Sequence, residues 1–298
     1  MGTSGSVETI WDKVGWTAPP ILAKTDDQKD AAVRHVCAYF EQLSDDHCGY
    51  RTGTCFSDLG GGGDRPEVAN VITAEDIVAV ESLDVTIPRI HKLQLLGAGV
   101  TPSGRAATRA WVDGLDPDEK LDADDYPSAR KVPIDSQRVT AALARIPNEV
   151  DLADVPKEEA PEVIRNANLL WREVRRTDFG QTMVSKLLAR KRPRLLPIID
   201  KHIQIQLGYQ RKNVNFYETM WKVMSDSDLA RPVLLATIRN AAYEKTGDER
   251  IRRLSDLRVF DIVVWMHEKY PVMSSRGRPT PNLADDSRLL ARRVLNPG

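Results

Sequence analysis

Residues 168–207 read NLLWREVRRTDFGQTMVSKLLARKRPRLLPIIDKHIQIQL. Leu170, Trp171 and Val174 continue a stripe begun by Val163, Ile164 and Ala167, and that 3.6-residue spacing predicts a helix over 158–176. A tight turn holding Phe179 and Gly180 follows, then a second helix, then a basic link bounded by Pro193 and Pro197. A third helix opens at Asp200, a good N-cap before Ile203 and Leu207. Three helices in 50 residues, with no period-two alternation here or elsewhere, make the expected fold all-α.

The same stretch concentrates charge. Between Arg165 and Lys212 stand twelve Lys or Arg against Glu173, Asp178 and Asp200, so this segment is +9 and, with a chain total of −1, the remainder is −10. Such an asymmetry draws phosphate backbones. The bland alternative is a set of solvated helix faces pairing with the acidic stretch from Asp113 to Glu162.

Composition bounds the rest. At 298 residues, 41% hydrophobic, the chain is long enough to bury a sizeable core. The longest apolar run, Ile262 to Met266, is too short to cross a bilayer, and Met1 to Trp16 lacks a basic start and a continuous apolar core. A cytoplasmic chain without a membrane partner is the expectation. Cys37, Cys48 and Cys55 are odd in number, so reduced thiols are expected rather than a disulfide framework.

Upstream, Thr25 to Asp45 carries Ala32, Val36, Tyr39, Phe40 and Leu43 at helical spacing. A long loop follows, with a short extended piece expected at Tyr50 to Phe56, and the four glycines at 60–63 read as flexible, since no strand and no Lys-Ser/Thr ending make them a P-loop. Thr73 with Asp76 is a capping signature for a helix to Leu83. Further helices are predicted from Pro88 to Leu96, from Ala106 to Val112, and from Asp135 to Ile146. Downstream come Phe216 to Met224, Asp228 to Tyr243 and Ser255 to His267. The run VFDIVVWM in the last is apolar on nearly every face except Asp261, which implies a central position and a specific partner for that carboxylate. The expected plan is an N-terminal extension (1–24), one helical domain (25–270, lobes about 25–150 and 151–270, hairpin at 163–190) and a C-terminal tail (271–298).

Chemistry is sharpest at the turn. The N-terminal amides of the second helix, at Gly180, Gln181 and Thr182, lack intrahelical partners and can bind phosphate without a side chain. Lys186 and Arg190 lie one and two turns further on, and Lys191, Arg192, Arg194 and Lys201 follow.

Here the chain resembles the helix-hairpin-helix superfamily of base-excision DNA glycosylases. Phe179-Gly180 occupies the hairpin pair, and Asp200, twenty residues after Gly180, is followed by His202 as in that family's Asp-x-His pattern. The close likeness spans about 40 residues. It implies a two-lobed helical fold, DNA as partner, and a monofunctional glycosylase: Asp200 would stabilise the sugar cation and orient water, His202 would help place it, and 180–194 would grip phosphates. Three departures limit the carry-over. Asp178 stands at the first hairpin glycine, Thr182 replaces the lysine nucleophile, which removes the lyase mechanism, and Ile205 replaces an arginine. The cysteines cannot build that superfamily's iron-sulfur cluster, so no cofactor is expected. The whole chain is also similar to a bacterial family marked by KLLARKRPRLLPIID and LRVFDIVVWM, which supplies no function.

Other constellations are weaker. His47, Cys48 and Cys55 lack a second paired element for zinc, and Tyr50, Arg51 and Phe56 fit stacking on a base as well as packing on the core. Two noncatalytic readings stay open: a nucleic-acid-binding helix-hairpin-helix module, or a helical module whose basic stripe meets an acidic protein.

Overall fold

Side-chain caps start many of the helices, as the Thr, Ser and Asp pattern predicts. Thr9, Thr25, Thr73, Thr101, Asp135, Asp200, Asp248 and Ser255 each accept a backbone N–H of the first turn that follows. A computed structural model describes residues 9–41, 51–114, 132–209, 216–226 and 231–270. The fold is all-α, and no strand occurs among the described residues.

In chain order the helices are α1 (Ile10–Val14), α2 (Asp26–Phe40), α3 (Ala74–Glu81), α4 (Arg89–Leu95), α5 (Pro102–Asp113), α6 (Ser136–Leu143) and α7 (Ala160–Val174). They continue as α8 (Gln181–Lys191), α9 (Lys201–Leu207), α10 (Phe216–Met224), α11 (Arg231–Thr246), α12 (Glu249–Arg252) and α13 (Asp256–Lys269). No described helix is long and apolar enough to cross a membrane.

Two helices lie inside. The α13 helix packs on α2, α9 and α11 and buries Val259, Phe260, Ile262, Val263, Val264 and Met266. The α8 helix lies between α3 and α7, and every residue from Val184 to Lys191 is buried. Its apolar residues alone explain only one side of that burial. The charged ones must find partners inside, because an unpaired buried charge costs several kcal/mol or more.

Several expectations give way. Residues 9–24 are built into the domain rather than extending from it: Thr9 and Asp12 form a reciprocal capping box, and Trp11, Trp16, Ile21 and Leu22 join the same apolar core as α7 and α13. Trp16 packs on Phe216 at 5.0 Å between ring centroids. Residues Thr52–Phe56 form a 3-10 turn rather than an extended piece, with Thr54 Oγ1 donating to Arg51 O at 2.8 Å. The fifth helix starts at Pro102 instead of Ala106, because Thr101 caps it and proline suits the first helical position. The expectations for 42–50, for the acidic 115–131 and for the tail 271–298 lie outside the described residues, as do Arg211 and Lys212.

Candidate functional site

The basic end of α8 turns inward onto the glycine-rich segment. Arg190 Nε donates to Asp76 Oδ1 at 3.1 Å, while its two terminal nitrogens donate to Phe56 O and Leu59 O. Lys191 Nζ holds the other oxygen of Asp76 at 2.9 Å and Val68 O at 2.8 Å. Arg192 donates to Ile146 O, Ala69 O, Leu143 O and Asn70 Oδ1 at 2.6 to 3.0 Å. Residues 51–72 have little regular structure, so their carbonyls need donors from elsewhere, and these three side chains supply them.

That arrangement corrects the expectation of a phosphate grip. Arg190, Lys191 and Arg192 are 2%, 0% and 1% exposed, and none presents its charge to a strand on the surface. The positive run is a fastening for the loop. Arg172, Arg175, Arg176 and Lys186 are buried too. Arg194 stays partly exposed and pairs with Asp151 at 2.9 Å, and Lys201 is exposed at the start of α9.

The four glycines have a defined path as well. Gly60, Gly61 and Gly62 adopt φ of 62°, 82° and 100°, a region L side chains rarely enter. Gly63 lies so close beneath Arg190 that a Cβ would stand 2.5 Å from its carbonyl oxygen and 2.7 Å from Asp76 Oδ1. Gly180, by contrast, caps α8 with φ −72°, open to any residue, and a Cβ there would meet nothing within 4 Å. Gln181 and Thr182 beside it are half-buried.

Asp200 sits where the sequence puts it, as the cap of α9. Its Oδ1 accepts the amides of His202 and Ile203, each at 3.0 Å, and its Oδ2 is 4.0 Å from Lys186 Nζ. The preceding segment is pinned to α8 by Ser185 Oγ, which accepts Ile199 N–H at 3.0 Å. Lys186 Nζ donates to Leu83 O at 2.8 Å, and burial pulls its amine below the usual lysine range against the attraction of Asp200 and Asp261. His202 lies edge-on to Trp265, with centroids 6.1 Å apart, and burial holds its ring below the ordinary histidine value.

The open space is next door. A small pocket of about 30 Å³ lies between the 56–64 loop, the end of α8, the Pro193–Ile198 link and the start of α13. Phe56, Ser57, Arg190, Leu257, Arg258 and Asp261 line it; neither Asp200 nor His202 does. Arg258 Nη1 donates to Asp261 one turn along α13, and Nη2 donates to Tyr39 Oη at 2.9 Å and Gly53 O at 3.4 Å. The guanidinium lies over the rings of Phe56 and Tyr39, at 4.8 and 5.6 Å. Burial carries the Asp261 carboxyl up to about 6, with Arg258 opposing, the like charge of Asp200 adding to the rise and Lys186 opposing it.

Sequence reading placed Asp200 and anticipated that Asp261 would need a partner, but it missed Arg258, Asp76, Tyr39 and Ser57. One signal was visible: Arg258 and Asp261, three apart on an otherwise apolar helix, share a face. Asp76 carried none, because its capping-box role concealed its second use.

Fold and site together define an all-helical protein with a charged, half-enclosed pocket fastened to its innermost helices. Over residues 32–126 and 127–268 the chain matches a family of unknown function (DUF6308), and it belongs to that family. No curated protein and no solved structure matches it.

Proposed function

We propose that the protein is a glycosylase-like hydrolase that cleaves the N-glycosidic bond of a base, with DNA as the first substrate to test. One observation carries the reading: a buried carboxyl, Asp261, forms part of a pocket wall and is poised to exchange a proton near neutral pH.

In the proposed reaction the bond from C1′ to the base nitrogen breaks and its electron pair leaves with the base. Asp261 gives that base its proton. Water adds to C1′ and returns a proton to Asp261, so the carboxyl is restored. Asp200, held by two amides and facing Lys186, acts through its field on the positive charge building at the sugar, without lining the pocket itself. The glycosylase resemblance supports the reaction class. The burial of Lys186, Arg190, Lys191 and Arg192 leaves Gly180, Gln181, Thr182, Arg194 and Lys201 among the expected contacts for a strand.

Base release from modified duplexes, single strands and free nucleosides tests the proposal. Wild type should release a base, and Asp261→Asn should lose most of that rate while Asp200→Asn loses part. No release from any substrate, or equal release by Asp261→Asn, sinks it.

A further inference from the structure

His91 lies buried on α4 with an oxygen against each ring nitrogen. Its Nε2 is 2.8 Å from Asp178 Oδ1, and its Nδ1 is 3.1 Å from Gln94 Oε1. A third group fixes the identity of that amide oxygen, because Ile134 N–H donates to Gln94 Oε1 at 3.0 Å. Turning the Gln94 NH₂ toward the ring would set donor against donor at Ile134. Asp178 brings a carboxylate, which only accepts. A neutral imidazole has one N–H and one bare nitrogen, so it would set a lone pair against one of the two oxygens. Both contacts are hydrogen bonds only when the ring carries both protons.

The surroundings suit a cation. The ring stacks on Phe179, with planes 15° apart and centroids 5.7 Å apart, and an aromatic face attracts a cation at that range. Charged groups on the neighbouring elements are engaged with one another or with carbonyls. On α4 itself Lys92 pairs with Glu81 at 2.7 Å, and Arg89 is exposed. Asp135, beside Ile134, pairs with Arg105, and Arg138 of α6 pairs with Glu173. Arg175 and Arg176, at the end of α7, donate to carbonyls that include Phe179 O and Pro133 O. His35 and His202 differ: each keeps a buried Nδ1 without a partner, and burial holds both below the ordinary histidine range.

The ring's position gives the contact a consequence. Through Asp178 and Phe179 it grips the turn at 176–179, where Phe179 N–H donates to Arg176 O at 3.1 Å, and Gly180 caps α8 directly after it. Through Gln94 it grips the segment that enters α6.

We infer that His91 is a proton-dependent clasp: as an imidazolium it joins α4 to the turn between α7 and α8, and loss of its second proton releases that turn and the N-terminal end of α8. The sign follows from the geometry. The clasp is complete on the acid side of the ring's titration and opens as pH rises through it, because a bare nitrogen then faces an oxygen at hydrogen-bond distance. Asp178, with a side chain 42% exposed, is the partner that can be changed without opening the core.

Nuclear magnetic resonance on the full chain tests it, with ring proton–nitrogen spectra and amide exchange followed from about pH 5 to about pH 9, a span that brackets the ordinary histidine value of about 6.5. His91 should carry protons on both nitrogens at the acid end and lose one within the span. The protection factor of the Phe179 amide should fall at least about tenfold with the same midpoint, as expected on losing one charge-assisted hydrogen bond. Asp178→Asn supplies an amide that donates to Nε2, so a neutral ring with Nδ1–H on Gln94 satisfies every partner. In that variant the protection should stay level with pH. Asp178→Ala lacks the clasp on both sides of the titration, so its protection should be level and low. A ring in one protonation state throughout, a Phe179 protection that ignores the ring's titration, or a fall that persists in Asp178→Asn overturns the clasp. Neither readout involves base release, so the clasp and the hydrolase reading fail separately.

Discussion

Arg190 Nε lies 3.1 Å from Asp76 Oδ1 across 114 residues of chain, with both side chains 1% exposed. Lys191 takes the other oxygen, so one carboxylate anchors two adjacent cations of α8. The same carboxylate starts α3, accepting Thr73 N–H at 3.0 Å. A helix cap, a loop fastening and the anchor of pocket-lining Arg190 thus meet in Asp76.

Asp76→Ala should therefore be among the costliest single changes. It leaves two buried cations uncompensated and removes a cap, and breaking such a pair costs about 3–5 kcal/mol. Asp151→Ala, which frees the partly exposed Arg194, should cost about 0–1 kcal/mol. Urea unfolding of both variants checks the contrast, and similar midpoints would show that the α8 cations are not held as described.

The two glycines invite a second comparison. Gly63→Ala forces a methyl group against Arg190 O and the Asp76 carboxylate, and overpacking of that kind costs about 1–3 kcal/mol. Gly180→Ala has room and an ordinary φ, so its effect should stay within about 1 kcal/mol, the difference between glycine and alanine as an N-cap. Thermal unfolding of the pair decides it. A larger loss at Gly180 would mean that the turn, not the 60–63 loop, is the demanding backbone.

Most helices were legible because their signals are local: a Thr or Asp cap, an apolar stripe, a glycine or proline stop. Thr73 with Asp76, Asp135 and Asp200 all cap as their spacing predicts. What failed depends on contacts far apart in the chain. Nothing within residues 186–192 announces that their charges point at carbonyls 46 to 134 residues away, so a positive run reads as a surface. Gly63 reads as slack for the same reason, since its constraint is Arg190 and Asp76. Asp261 was foreseen because an acid on an apolar helix demands a partner wherever it lies. The pocket itself, made by four separated segments, leaves no sequence signal.

Acid should act on two buried groups in opposite directions. Burial lowers His35 from 6.5 to about 4, with His267 and Arg34 adding to the fall. The unfolded chain then binds more protons between those values, so stability from a neutral His35 is full above about 6.5 and drains away as pH falls toward 4. Asp261 is raised to about 6, so the folded state binds more protons than the unfolded one between about 4 and 6, and stability grows there as pH falls. Melting temperatures between pH 4 and 8 should fall less steeply on the acid side in His35→Leu and more steeply in Asp261→Asn. Parallel profiles for both variants and wild type would show that neither group titrates as its surroundings require.

The pH dependence of catalysis follows from the same carboxyl. If Asp261 delivers the proton to the departing base, only its protonated form reacts, so kcat/KM should be level below about 6 and fall about tenfold per pH unit above it. Asp261→Asn keeps an oxygen for Arg258 Nη1 but carries no exchangeable acid, so its residual rate should be low and flat with pH. Asp200→Asn removes the charge that raises Asp261 and keeps an oxygen to cap α9. It should retain the falling limb, with the midpoint moved to lower pH and the plateau reduced by less than the about 100- to 1,000-fold that follows loss of a direct electrostatic contact. A limb that survives in Asp261→Asn would assign the proton to another group, and a limb that stays put in Asp200→Asn would show that the charge of Asp200 does not act on Asp261.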